Sequence, residues 1–191
     1  MIHDRDLVDR LSELPTESFS GEVFRATGFS VDSTAPSING GRWAPKPDGD
    51  PGIYVLYTSL ERDGALAEVC SFLADFTPIP GKRPIKVSRL AVSTSRTLRL
   101  ARTDLSRLGV DFECYGKRDY GRSQEIGAAI SFLGLDGLIA PSARWSCDNL
   151  IIFTDNHSLT DQLEVIDHEM VEWREWAEAN GFISPVGPRR S

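Results

Sequence analysis

A chain of 191 residues that is 40% hydrophobic and 26% charged carries enough apolar side chain for one ordinary core, without disulfide or metal staples. Its 21 basic and 28 acidic residues leave a net charge of −7, a field that repels a phosphate backbone and argues against direct nucleic-acid binding. Three cysteines without CxxC spacing and three histidines without HExxH speak against a disulfide framework or a metal centre. No apolar run nears the roughly 20 residues of a membrane span and no signal-peptide core opens the chain, so a cytoplasmic protein is expected.

Apolar residues at 7, 8, 11 and 14 predict a helix over 4–14, stopped by Pro15. Residues 22–26 predict a short strand. The next stretch, 27–50, is rich in Gly, Pro, Ser and Asp and predicts a long loop of the kind that often carries function. "GIYVLYT" (52–58) predicts a strand with Tyr54, Leu56 and Thr58 on one face and Ile53, Val55 and Tyr57 on the other. Ser59 is placed to cap a helix reaching about Ala74, with Leu66, Val69, Cys70 and Leu73 as its apolar stripe.

Strands are expected near 85–92 and 97–100, then a short helix over 104–108 and a helix over 122–134 with Gly134 near its end. "DGLIAPS" and "DNLIIFTD" predict two short buried strands separated by "ARWSC". "LEVIDHEM" predicts a further strand, residues 171–180 a terminal helix stopping at Gly181, and 184–191 a disordered tail. Strands and helices mix without a βαβ rhythm. The expected fold is α+β, a single domain with a mixed or antiparallel central β-structure flanked by helices.

GxGxxG after a strand, GxxxxGK[ST] and GxSxG are all missing, which removes the usual dinucleotide, P-loop and serine-hydrolase readings. Glu68 then stands out, a carboxylate among Leu66, Ala67, Val69 and Cys70. It either reaches the surface or a structural arginine, or serves a site, because a lone buried charge is costly. Arg42 follows Gly40 and Gly41 and is either a solvated loop arginine, stacked on Trp43, or a ligand contact. Tyr57 reads as core packing, Ser142 after Pro141 as a turn hydroxyl, and Asn149 as a local cap, when each is taken singly. The acidic run Glu164, Asp167, Glu169, Glu172 and Glu175 reads as a solvated face, with a docking surface as the alternative.

Taken together, five pieces in order resemble the RES domain, a bacterial family named for arginine, glutamate and serine. They are "VFRA" (23–26), "GGRW" (40–43), "VLYTSLERDGALAEV" (55–69), "DGLIAPSAR" (136–144) and "NLIIF" (149–153), and the likeness spans about residues 22–155. Two departures are visible: Ala44-Pro45 stands where the family usually has Asn-Pro, and "KPDGDPG" (46–52) is longer than usual. The resemblance implies an ADP-ribosyltransferase-like fold and a toxin neutralised by a partner with an Xre-type helix-turn-helix domain. It also implies NAD as substrate, cleaved at the nicotinamide–ribose bond by hydrolysis or phosphorolysis, or used to ADP-ribosylate a protein. No metal is required.

Residue chemistry agrees with that implication. Guanidinium forks suit a pyrophosphate, which assigns Arg25 and Arg42 to NAD binding. An aromatic face suits the cationic nicotinamide, which assigns Tyr57, with Trp43 as a second wall. Cleavage builds oxocarbenium-like charge on the ribose, so a carboxylate beside it, Glu68, would favour the transition state over the ground state. Ser142 would hold that carboxylate or the ribose, and Asn149 completes the binding set. The competing readings are a protein mono-ADP-ribosyltransferase, a silent module that only binds the Xre partner, and a small hydrolase unrelated to NAD.

Overall fold

The computed structural model describes residues 4–37, 39–46 and 52–184. In chain order they form α1 (Arg5–Ser12), β1 (Thr16–Thr27), β2 (Val55–Ser59), α2 (Arg62–Ala74), β3 (Pro84–Arg99) and α3 (Arg102–Arg107). α4 (Gly121–Phe132), β4 (Gly137–Pro141), β5 (Asp148–Phe153), β6 (Leu163–Glu172) and α5 (Trp173–Ala179) complete the chain. The result is a mixed α+β single domain, as the sequence predicts.

The long strand β3 organises the sheet. One of its edges pairs with β1 from Lys86 to Leu98. The other carries β6 antiparallel along Pro84–Val92 and β4 in parallel at Thr97–Arg99. From β4 the ladder runs antiparallel through β5 to β2, and β2 returns to β1 through one pairing, Phe24 with Ser59. The five strands β1, β2, β5, β4 and β3 therefore close on themselves, with β6 added outside.

Side-chain alternation explains why the ring closes. Val23, Leu56, Leu90, Val92, Ile139, Leu150 and Ile152 come from all five strands and form one buried cluster inside it. Their strand neighbours Val55, Leu138, Ala140, Ile151 and Phe153 face outward into a second cluster with α1, α3 and α4. Both faces of β4 and β5 are thus buried, so these strands read as continuous apolar runs. α2 and α5 cover a third cluster, in which Leu66, Cys70 and Leu73 meet Ile85, Val87 and Trp173.

Several boundaries differ from expectation for identifiable reasons. β1 begins at Thr16 because its polar first half is held by pairing with the second half of β3, from Thr16–Leu98 onward. The same ladder makes one strand of the two expected near 85–92 and 97–100. β2 starts at Val55 instead of Gly52. Ser59 does not cap α2: the N-cap is Glu61, without a side-chain cap bond, and Ser59 is the last residue of β2. The tail residues 185–191 and most of the long 46–52 insertion (47–51) lie outside the described residues.

Candidate active site

β1 and β2 touch at Phe24–Ser59 and then part, and a cavity of about 350 Å³ opens where they separate. Arg25 and Thr27 of β1, Tyr57 of β2, Arg42 of the intervening loop, Glu68 of α2 and Asn149 of β5 all line it. The closed sheet thus brings together residues spread over more than half the chain. α2 presents one face to the cavity, Ala65, Glu68, Val69 and Phe72, at helical spacing.

Glu68 is held from behind. Its Oε1 accepts from Ser142 Oγ at 2.8 Å and from Asn149 Nδ2 at 3.0 Å. Ser142 is 2% exposed, and its Oγ also accepts the backbone N–H groups of Arg144 (3.1 Å) and Trp145 (3.2 Å). With two donors arriving, the hydroxyl proton of Ser142 is left to point at the carboxylate. Asn149 is placed by register, opposite Ser59 of β2 and Ala140 of β4. Among the described residues, Oε2 of Glu68 has no hydrogen-bond partner and Glu68 forms no ion pair, so a structural arginine does not account for it; the side chain is partly buried and faces the cavity. The buried Oδ1 of Asn149 and the buried Oγ1 of Thr27 also have no partner among these residues. Both residues line the cavity, and buried polar groups of this kind are normally paired with protein, water or ligand.

Arg42 is positioned by aromatic rings. Its guanidinium carbon lies 4.2 Å from the Tyr115 ring centroid and 4.8 Å from that of Tyr120. No carboxylate pairs with it among the described residues, so its charge is available to an anion. The loop that carries it is tightly fixed. Gly40 has φ +70°, and a Cβ on Gly41 would come within 2.6 Å of Tyr57 Oη. The Tyr57 hydroxyl accepts the Trp43 N–H at 3.1 Å, and Gln124 Nε2 donates to the Gly41 carbonyl at 2.9 Å. Burial pushes the Tyr57 phenol up to about 12, so it stays neutral.

Arg25 donates through Nη1 to the carbonyls of Ser33 (2.9 Å) and Ala35 (2.6 Å). Burial lowers its pKa to about 10, with Asp32 opposing, so it remains cationic at neutral pH. Trp43 reaches the cavity wall but is 3% exposed and packed in the core with Ile126 and Ile130. Ser142 is not on the cavity wall; it stands behind Glu68.

Sequence reasoning missed Tyr115, Tyr120 and Phe72. Two tyrosines within the polar stretch "ECYGKRDYG" are the signal that could have found the first pair, since aromatics are wasted in a loop with nothing to stack on. Among the described residues no group of three or more His, Cys, Asp or Glu is arranged to hold a metal ion, and no helix is long and apolar enough to cross a membrane.

The RES domain profile matches residues 14–174, and the chain belongs to the RES domain family. No curated protein matches it. Its fold is similar to that of a chain in the crystal structure of the M. tuberculosis MbcT–MbcA toxin–antitoxin complex, with a TM-score of 0.75 and 18% identity. That alignment covers 93% of this chain and 98% of the other.

Proposed function

We propose that this RES-domain chain is the toxin of a bacterial toxin–antitoxin pair and that it consumes NAD by breaking the nicotinamide–ribose bond. The observation that carries the reading is Glu68, fixed at Oε1 by Ser142 and Asn149 and open at Oε2, on the wall of a cavity shared with Arg25 and Arg42. A cavity of about 350 Å³ lies within the roughly 300–1,000 Å³ of small-molecule sites.

In this reading the nicotinamide riboside half enters between β1 and β2, with its ribose against Glu68 and its pyrophosphate toward the guanidinium groups. The glycosidic bond breaks with both electrons passing to the ring nitrogen, so nicotinamide leaves neutral. The ribose carbon becomes cationic, and a carboxylate already aimed by Ser142 and Asn149 stabilises it with little reorganisation. The cation is then captured by the oxygen of water or phosphate, and Oε2 of Glu68 is the base that can orient that nucleophile. The neutralising partner is an Xre-type helix-turn-helix protein, and closing the cavity mouth is the simplest way for it to inhibit in the cytoplasm.

Incubating the purified protein with NAD tests this: release of free nicotinamide together with ADP-ribose or its phosphate is the expected result. Transfer of label from NAD to a protein band in cell lysate would instead establish mono-ADP-ribosylation, and intact NAD under all conditions would refute the activity.

A further inference from the structure

Among the described residues of the cavity wall, Phe72 is the one large apolar side chain left half outside, 51% exposed. It is nevertheless fixed. Phe76 meets it edge-on, centroids 5.0 Å apart at 88°, and the Arg118 guanidinium carbon lies 5.4 Å from its centroid. Arg118 is itself held, donating from Nε to Asp75 at 2.6 Å and from Nη2 to the Ser71 carbonyl at 3.2 Å. A rigid ring presented at a cavity mouth is a stacking platform, since stacking needs a flat surface whose orientation is already set.

Its position relative to Glu68 says what stacks there. Phe72 lies one helical turn beyond Glu68 on the same face of α2, about 6 Å along the axis. The cavity is small for a whole dinucleotide, so a ligand with one nucleoside against Glu68 must carry its other half out past this ring. Tyr120 and Arg42 line the same cavity and Arg118 packs on Phe72, and the unpaired Arg42 suits a negatively charged linker between the two halves. We propose that Phe72 is the subsite for the purine base of the dinucleotide, and that this contact selects dinucleotide over mononucleotide. The inference rests on the NAD reading above and adds to it the second half of the substrate.

The test is kinetic, on the purified full chain carrying Phe72→Ala or Phe72→Trp. Stacking on an aromatic ring predicts a rise in KM for NAD of about tenfold in Phe72→Ala, with kcat unchanged. Phe72→Trp restores the wild-type KM. Competitive inhibition by AMP weakens by the same factor as KM in Phe72→Ala, while inhibition by nicotinamide does not change. A wild-type KM in Phe72→Ala overturns the proposal. So does equal weakening of AMP and nicotinamide, which marks general damage, or a loss confined to binding of a protein partner. If the wild type releases no nicotinamide from NAD, the functional reading itself has failed. Calorimetric titration of AMP into wild type and Phe72→Ala then still decides the subsite, with equal affinities counting against it.

Discussion

Ser142 donates its hydroxyl proton to Glu68 at 2.8 Å across 74 positions of sequence, because the N–H groups of Arg144 and Trp145 already occupy its acceptor side. The serine thus acts on the carboxylate, not on the cavity. Ser142→Ala removes one of the two bonds that aim Glu68 and leaves two backbone donors without an acceptor. We expect kcat for NAD cleavage to fall about tenfold with a smaller change in KM. Unfolding in urea should show a loss of about 1 kcal/mol, the low end of the cost of unpaired donors because these two are only partly buried. An unchanged kcat would mean that Asn149 alone sets the carboxylate.

Arg42 depends on its flanking rings. Arg42→Lys keeps the charge but loses the flat guanidinium that packs on Tyr115 and Tyr120. KM for NAD should rise about tenfold in Arg42→Lys and comparably in Tyr120→Ala, the scale of a partly desolvated cation–π contact. Tyr120→Phe keeps the ring and loses only the hydroxyl beside Arg118, so it should raise KM far less than Tyr120→Ala. Equal KM values for Tyr120→Ala and wild type would show that the stack does not position the arginine.

The Arg42 loop is also seated against α4. A Cβ added at Gly127 would fall 1.8 Å from the Trp43 carbonyl oxygen, a backbone atom that cannot swing away. Gly127→Ala should therefore lower stability by more than about 2 kcal/mol in chemical denaturation, as overpacked sites do. It should also reduce activity through displacement of Arg42. Wild-type stability in this variant would contradict the close approach.

The elements that carry the site were legible because their sequences are locally unambiguous. "VLYTS" alternates, "GLIAP" and "NLIIF" are unbroken apolar runs, and the α2 stripe has helical spacing; all four became elements within a few residues of their expected limits. Glu68 was legible for the same reason, as a charge breaking that stripe. The continuity of β3 was not, since Ser93 to Arg96 carry no strand pattern: Ser93 and Thr94 are held by pairing with β1, and the N–H groups of Ser95 and Arg96 donate to the Asp136 carboxylate. Nor was the division of labour among site residues. That Ser142 would stand behind Glu68, and that the rings around Arg42 would be Tyr115 and Tyr120, follow from sheet register and loop packing, which no local pattern encodes. The acidic residues of β6 behave mainly as a solvated face, with Asp167 on Arg89 and Glu169 on Arg62 as exposed pairs worth little stability each.

Everything proposed for the chemistry depends on the negative charge of Glu68. Glu68→Gln keeps the size of the side chain and removes that charge, so the decisive measurement is the rate of nicotinamide release from NAD by purified Glu68→Gln beside wild type, with folding verified by thermal melting. A folded variant slowed at least about a hundredfold is the predicted result, the scale seen when a preorganised charge-stabilising group is lost. A folded variant that cleaves NAD at the wild-type rate would contradict the account.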